Sequence, residues 1–119
     1  MSTKKPKAHL TVTKQFFLTP EDRITYVYST DDDQIIEVVN VSYETLAGKK
    51  WTTLVRFDSH YGYLHSHTRV SEKDLTESVS TVTGVEDQIP HELLTWAIKD
   101  ISTNYLQYKA NFMERSKVD

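Results

Sequence analysis

Apolar and polar residues alternate through the first half of the chain, with the two-residue period that is typical of half-buried β-strands. The second such segment shows the pattern well, because Ile24, Tyr26 and Tyr28 share one face. Stretches of turn-forming residues separate the segments, at Thr19–Asp22 and Asp31–Asp33. The pattern therefore predicts four strands, at residues 9–18, 23–29, 35–46 and 50–58.

The three adjacent aspartates, Asp31–Asp33, raise the alternative of a calcium site. An EF-hand loop places oxygen ligands at alternate positions around a glycine, and this segment has neither feature. A polar turn between the second and third strands is the better interpretation.

The hydrophobic pattern also predicts how the third and fourth strands pair, since a slip of one residue would turn every side chain over. A three-residue loop, Ala47–Lys49, brings the apolar residues of both strands to one face. The predicted pairs on this face are Val39 with Phe57, Val41 with Val55 and Tyr43 with Thr53, and Trp51 joins them. The opposite, polar face carries Asn40, Ser42, Leu54, Arg56 and Asp58.

A second hairpin is predicted to follow, with residues 59–62 as a four-residue loop. On the apolar face this register sets Leu64 opposite Phe57 and Val70 opposite Trp51. On the polar face it sets His65 opposite Arg56 and Tyr63 opposite Asp58. Both hairpins then agree on which side of the sheet is the core.

The apolar period changes after Pro90, a residue that favours the first turn of a helix. Apolar residues now recur at three- and four-residue spacing and form one stripe. We predict a helix over residues 91–115 that covers the apolar face of the sheet, with a partner-binding helix as the alternative. The stripe consists of Leu94, Ile98, Ile101, Tyr105, Tyr108 and Phe112.

Residues 71–87 are predicted to hold either one more weak strand, around Val79–Val85, or an ordered loop. The predicted fold class is α+β, with an antiparallel sheet of four to five strands covered on one face by a long C-terminal helix. The 119 residues suit a single domain over residues 1–119, with a flexible lysine-rich arm at residues 1–8.

Composition narrows the function classes. The chain has no cysteine, which excludes disulfides and thiolate chemistry and favours a cytoplasmic location. No segment is apolar enough for a signal peptide or a membrane span, so we expect no membrane partner. The net charge of −3 argues against duplex DNA as a partner, whereas a local RNA or phosphate site stays open.

Chemically useful side chains concentrate around the second hairpin. Alternation puts His65 and His67 on one strand face. The predicted register adds Arg56 and Asp58 from the neighbouring strand, and His60 lies in the loop. Cross-strand neighbours have Cβ atoms about 5 Å apart, so these groups are expected to interact.

Metal-independent phosphodiester cleavage is the first chemistry that suits this cluster. One imidazole would take the proton of a ribose 2′-hydroxyl and another would protonate the leaving oxygen. The predicted catalytic residues are Arg56, Asp58, His65 and His67, with Arg69 and Tyr63 as anion-binding residues.

Two other uses of the same face are open. A divalent metal could be held by His65 and His67 with Asp58 or His60, although no cofactor is otherwise predicted. Anion binding without chemistry is the second alternative. A merely solvated face, with Arg56 and Asp58 as a surface ion pair worth less than about 1 kcal/mol, is the simplest interpretation.

The hairpin resembles a group of small prokaryotic proteins that includes the TumE-type toxin components of toxin–antitoxin pairs. The shared motif is Arg-aromatic-Asp, a turn with His and Gly, and then His-x-His. This chain has Arg56-Phe57-Asp58, Ser59-His60-Tyr61-Gly62 and His65-Ser66-His67. Residues 97–105 resemble the C-terminal helix of the same group.

This resemblance implies an α+β toxin that acts on RNA and is neutralised by a DNA-binding antitoxin partner. Arg56, Asp58, His65 and His67 match the motif, whereas His60 departs from it, because Tyr61 stands before the glycine. A non-catalytic protein-interaction module and a metal-binding accessory protein are the alternative functions. A homodimer through an unpaired edge strand is a further prediction.

Overall fold

The computed structural model describes residues 9–60 and 62–118, and it confirms the α+β class. The predicted arm at residues 1–8 lies outside the described residues. One antiparallel sheet has six strands in chain order, which is more than the four to five predicted, and one helix follows it. The elements are β1 (Leu10–Thr19), β2 (Asp22–Asp31), β3 (Gln34–Ala47), β4 (Lys50–Asp58), β5 (His65–Arg69), β6 (Glu77–Thr81) and α1 (Pro90–Ser116).

Tight turns join the first four strands. Asp32 and Asp33 have φ of 52° and 65°, the left-handed pair of a type I′ hairpin turn, so the aspartate run forms a turn as predicted. Ala47 pairs with Lys50, which leaves Gly48 and Lys49 as a two-residue turn. The predicted three-residue loop is therefore wrong at this position.

The pairing of β3 with β4 differs from the predicted register. Val41 faces Phe57 and Tyr43 faces Val55, but beyond this point the register shifts by one residue. A β-bulge, which inserts one unpaired residue into one strand, causes this shift at Leu54. Leu54 is consequently buried instead of lying on the polar face.

The bulge also moves Trp51 to the opposite face of the sheet from Tyr43, contrary to the prediction. There the Trp51 ring lies 5.8 Å from the ring of Phe17, and the guanidinium carbon of Arg23 lies 4.0 Å from the Trp51 centroid. A second bulge in β3 leaves Val39 38% exposed, so the predicted pairing of Val39 with Phe57 is also wrong.

In the second hairpin the connection is longer than predicted, because β4 ends at Asp58 and β5 begins at His65. Asp58 faces His65 and Arg56 faces His67, two residues away from the predicted partners. A slip of two residues preserves the faces, so these four side chains still share one side of the sheet. Tyr63 lies in the connection, not opposite Asp58.

The other two predicted pairs of this hairpin also change. Leu64 precedes β5 and does not face Phe57, which pairs with Ser66, yet Leu64 is buried as predicted. Val70 lies beyond the β4–β5 ladder and does not face Trp51. The longer connection changed which residues face one another, whereas Leu64 is buried because its side chain is apolar.

Helix α1 covers one face of the sheet, as predicted, and begins at Pro90. Its Tyr105 ring lies 5.8 Å from that of Tyr43, and Trp96 lies 5.7 Å from Phe57. We call the other side of the sheet, which α1 does not cover, the open face. The core between sheet and helix contains Ile24, Val38, Val41, Tyr43, Leu54, Val55, Phe57, Leu64, Val85, Leu93, Leu94, Ala97, Ile101 and Phe112.

Asp22 ties the helix to the sheet at one end of this core. Its carboxylate is buried and accepts hydrogen bonds from the hydroxyls of Thr19 (2.6 Å), Tyr43 (2.6 Å) and Thr45 (2.9 Å). The ammonium group of Lys109, from α1, lies 3.4 Å from Oδ1 of Asp22. Buried carboxylates are tolerated only when paired and hydrogen-bonded in this way.

We expect Asp22→Asn to lower the free energy of unfolding by about 2–3 kcal/mol, because the hydroxyl donors lose a charged acceptor inside the core. Chemical denaturation monitored by tryptophan fluorescence measures the change. Asp31→Asn, at an exposed position, is the matched control and should change stability by less than about 0.5 kcal/mol. Equal effects of the two substitutions would contradict this role of Asp22.

The Asp22 network also predicts a pH dependence. Burial raises the pKa of Asp22, but the hydrogen bonds from the three hydroxyls and the charge of Lys109 outweigh it and hold the pKa below 3.8. A depressed pKa stabilises the fold above the unfolded value and loses that contribution as pH falls through the folded value. Denaturation at a series of pH values should therefore show the wild-type advantage over Asp22→Asn shrinking only below about pH 4.

Candidate functional site

A concave pocket of about 380 Å³ opens on the open face, where β3, β4, β5 and β6 lie side by side. We call it the hairpin pocket. Apolar walls from two strands flank a floor of carboxylate and imidazole groups. It is lined by Glu37, Val39, Asp58, His60, His65, His67 and Val79.

The strand pattern explains how these groups converge. Alternation along β5 points His65 and His67 to the open face, and their partners Asp58 and Arg56 point the same way from β4. The bulge in β3 turns Val39 outward beside them, and Val79 of β6 forms the other wall. The four predicted catalytic residues are therefore brought together as the sequence predicted.

Arg56 forms an ion pair with Glu77 of β6. Its Nε and one terminal nitrogen donate to the two carboxylate oxygens of Glu77, both at 2.9 Å, in a bidentate arrangement. Nη1 of Arg56 also lies 3.4 Å from Asp58. The hydrogen bonds between them raise the pKa of Arg56 and lower that of Glu77, so the pair is ionised.

His67 lies between Arg56 and Asp58 and is only 16% exposed. Its Nδ1 is 3.3 Å from Nη2 of Arg56, and its Nε2 is 2.7 Å from Oδ2 of Asp58. The second contact is electrostatic, because the Nε2 atom is off the line of a hydrogen bond. A guanidinium can only donate, so Nδ1 accepts and the proton of the neutral ring belongs on Nε2.

His60 and His65 complete the imidazole side of the pocket. His60 is 68% exposed, and its Nδ1 lies 3.4 Å from the Glu37 carboxylate. The backbone N–H of His60 donates to Oδ1 of Asp58 at 3.2 Å, which fixes the start of the loop. The His65 ring meets the exposed Tyr63 ring edge-on at 5.3 Å, so Tyr63 borders the site from the loop.

Arg69, predicted to bind anions together with Tyr63, does not line the hairpin pocket. It ends β5, and its guanidinium donates to the carbonyls of Ser71 (3.0 Å) and Glu72. The same group lies 5.8 Å from the ring of Phe112 in α1. Arg69 therefore holds the loop after β5 close to α1. It is the last residue of β5, and its side chain follows these loop contacts and does not point to the open face with His65 and His67.

The charges around the pocket differ from those that an anion site needs. Glu37 and Asp58 line it with two carboxylates, and Arg56 is offset by Glu77. Only protonated imidazoles would bring positive charge to the floor. Within the described residues, no three His, Asp or Glu side chains are placed to hold one metal ion together.

Sequence reasoning missed Glu77 and Glu37. Glu77 falls in the stretch predicted as a weak strand further along or as a loop, so its distance to Arg56 could not be inferred. Glu37 faces the pocket from a strand whose pairing with β2 is shifted by bulges. Neither residue belongs to a recognisable motif, and only the assembled sheet shows their role.

The fold and the site define a small α+β protein with a histidine–carboxylate pocket on the open face of an antiparallel sheet. A family model matches residues 4–118, and the chain belongs to that family, which is described as a domain of unknown function (DUF7718). No curated protein and no solved structure matches the chain significantly. Because the description names no activity, the resemblance to TumE-type toxins stays a prediction.

The contacts of His67 predict its tautomer. We expect the neutral ring to carry its proton on Nε2, since Arg56 occupies Nδ1 as a donor. Nitrogen-15 NMR of the histidine rings distinguishes the two tautomers. Exposed His91, which lies on α1, provides the reference for an unconstrained ring. A His67 spectrum like that of His91 would contradict the arrangement.

Proposed function

We propose that this chain is a small toxin-like protein that acts on RNA through the hairpin pocket. The observation that carries the proposal is the connected cluster at the pocket floor. Arg56, Asp58 and His67 contact one another, and His65 lines the same pocket beside them. These are the four residues that match the toxin-like motif.

The proposed reaction is cleavage of a phosphodiester by attack of the neighbouring ribose 2′-hydroxyl. His65 takes the proton of that hydroxyl as its oxygen bonds to phosphorus. The bond from phosphorus to the 5′-oxygen breaks, and a protonated His67, whose ring must first turn away from Arg56, gives that oxygen a proton. The Asp58 carboxylate, 2.7 Å from Nε2 of His67, is placed to attract the positive charge that this ring carries when it serves as the acid.

Arg56, one of the predicted catalytic residues, does not contact the substrate in this proposal. Two nitrogens of its guanidinium group donate to Glu77, so Arg56 orients His67 and does not hold the phosphate. The phosphate charge is then met by the protonated ring of His67, because His65 must be neutral to act as the base.

We expect His65→Ala and His67→Ala each to slow RNA cleavage by about 10²–10⁴-fold, the usual contribution of an acid or base. Fragment analysis of a single-stranded RNA by electrophoresis gives the rates, and circular dichroism checks the fold. His91→Ala is the matched control and should retain full activity. RNA that stays intact with the wild-type protein, over pH 5–8 and with or without divalent metal, would refute the proposal.

A divalent cation site is the second candidate, because two carboxylates, Glu37 and Asp58, line the pocket beside the imidazoles. Such a site requires rearrangement, since both nitrogens of His67 already face protein groups. Stoichiometric zinc or manganese that is lost on chelation, together with inactive RNA assays, would favour this function.

We also propose that this chain binds another protein, which would be an antitoxin or a second copy of the chain. Such binding could be its whole function, without catalysis. The sheet ends in two edge strands, β1 and β6, that offer backbone groups for pairing. Purification with a stoichiometric partner and without RNA cleavage would favour the interaction role.

A further inference from the structure

Glu77 stands apart from the other acidic residues near the pocket because it meets Arg56 with both carboxylate oxygens. The two contacts are 2.9 Å each, and the side chains of Arg56 and Glu77 are about one-third exposed, at 33% and 32%. Glu77 Oε1 also lies 3.8 Å from Nδ1 of His67. The Glu77 carboxylate thus contacts Arg56 and lies near His67, the proposed acid.

The geometry of the guanidinium explains why this contact matters. The planar group of Arg56 directs Nε and Nη2 at Glu77, Nη2 also at His67, and Nη1 at Asp58. Fixing one edge of a planar group fixes its remaining donors. The orientation of the Arg56 donor toward His67 therefore depends on Glu77.

The position of Glu77 in the fold means that its contact with Arg56 can be removed without unfolding the protein. β6 is an edge strand, and all five of its residues are exposed. An ion pair in such a place contributes little to global stability. Its effect is instead local, on the ring of His67.

We propose that Glu77 is a positioning residue of the hairpin pocket: it holds Arg56 so that Arg56 donates to Nδ1 of His67 and the proton of the neutral ring stays on Nε2, the nitrogen that lies beside Asp58. The kinetic part of this proposal rests on the proposed RNA cleavage, whereas the tautomer part stands without it. Residues that orient metal-ligating histidines contribute about 10–100-fold to activity, and we expect an effect of the same size for this histidine.

Glu77→Gln tests the proposal, because it keeps the shape of the side chain and removes one of the two acceptors and the charge. Nitrogen-15 NMR should show that the His67 ring changes from a single tautomer to a mixture. The kcat for RNA cleavage should fall by about 10–100-fold. The KM should not rise, because Arg56 gains a free positive charge toward the phosphates.

Glu72→Gln is the matched control, since it removes the same charge from an exposed position in the loop before β6. It should leave the His67 spectrum and the kcat unchanged. Arg56→Lys provides an independent variant, because lysine keeps the charge but has no planar guanidinium group to bridge Glu77 and His67. It should disturb the His67 tautomer as Glu77→Gln does, even if Glu77→Gln were to loosen β6.

An unchanged His67 spectrum in both Glu77→Gln and Arg56→Lys would overturn the proposal. A rise in KM with kcat unchanged would also overturn it, since it would make Glu77 a binding residue. If the wild-type protein cleaves no RNA but the tautomer changes as expected, the positioning role holds and the proposed function fails. The two ideas are therefore tested separately.

Discussion

One helix covers one face of a six-stranded sheet, and this unequal coverage organises the molecule. The central strands β2, β3 and β4 divide their side chains between a buried face and a face directed away from the helix. Tyr43 and Phe57 meet aromatic rings of α1 on the buried side, and Asp22 adds a buried polar anchor to Lys109. The residues that alternate with this core are left to form the hairpin pocket.

The pocket owes its shape to breaks in that alternation. A bulge in β3 places Val39 on the open face, beside residues that regular pairing already puts there. Bulges bend a strand and re-aim its side chains, and the β3 bulge gives this part of the sheet an apolar wall beside its polar floor. The other bulge acts away from the pocket, where it buries Leu54 and sends Trp51 to the opposite side from Tyr43.

The polar floor is a chain of contacts, not a group of independent side chains. Glu77 holds Arg56, Arg56 donates to Nδ1 of His67, and Asp58 faces Nε2 of the same ring. In such a network the removal of one member changes the others. The network also explains why Arg56 brings no unmatched positive charge to the pocket. Its charge is matched by a carboxylate that the motif does not contain.

The amino-acid sequence by itself determined the class of fold, the helix that covers the sheet and the common face of Arg56, Asp58, His65 and His67. These features follow from periodicity, which survives a register error of two residues because the side-chain period is two. Only the tertiary structure decided the bulges at Val39 and Leu54, the sixth strand and the contact between Arg56 and Glu77. Each of these features depends on the lengths of turns and on pairing between segments that are distant in the sequence. Local sequence patterns do not determine that pairing.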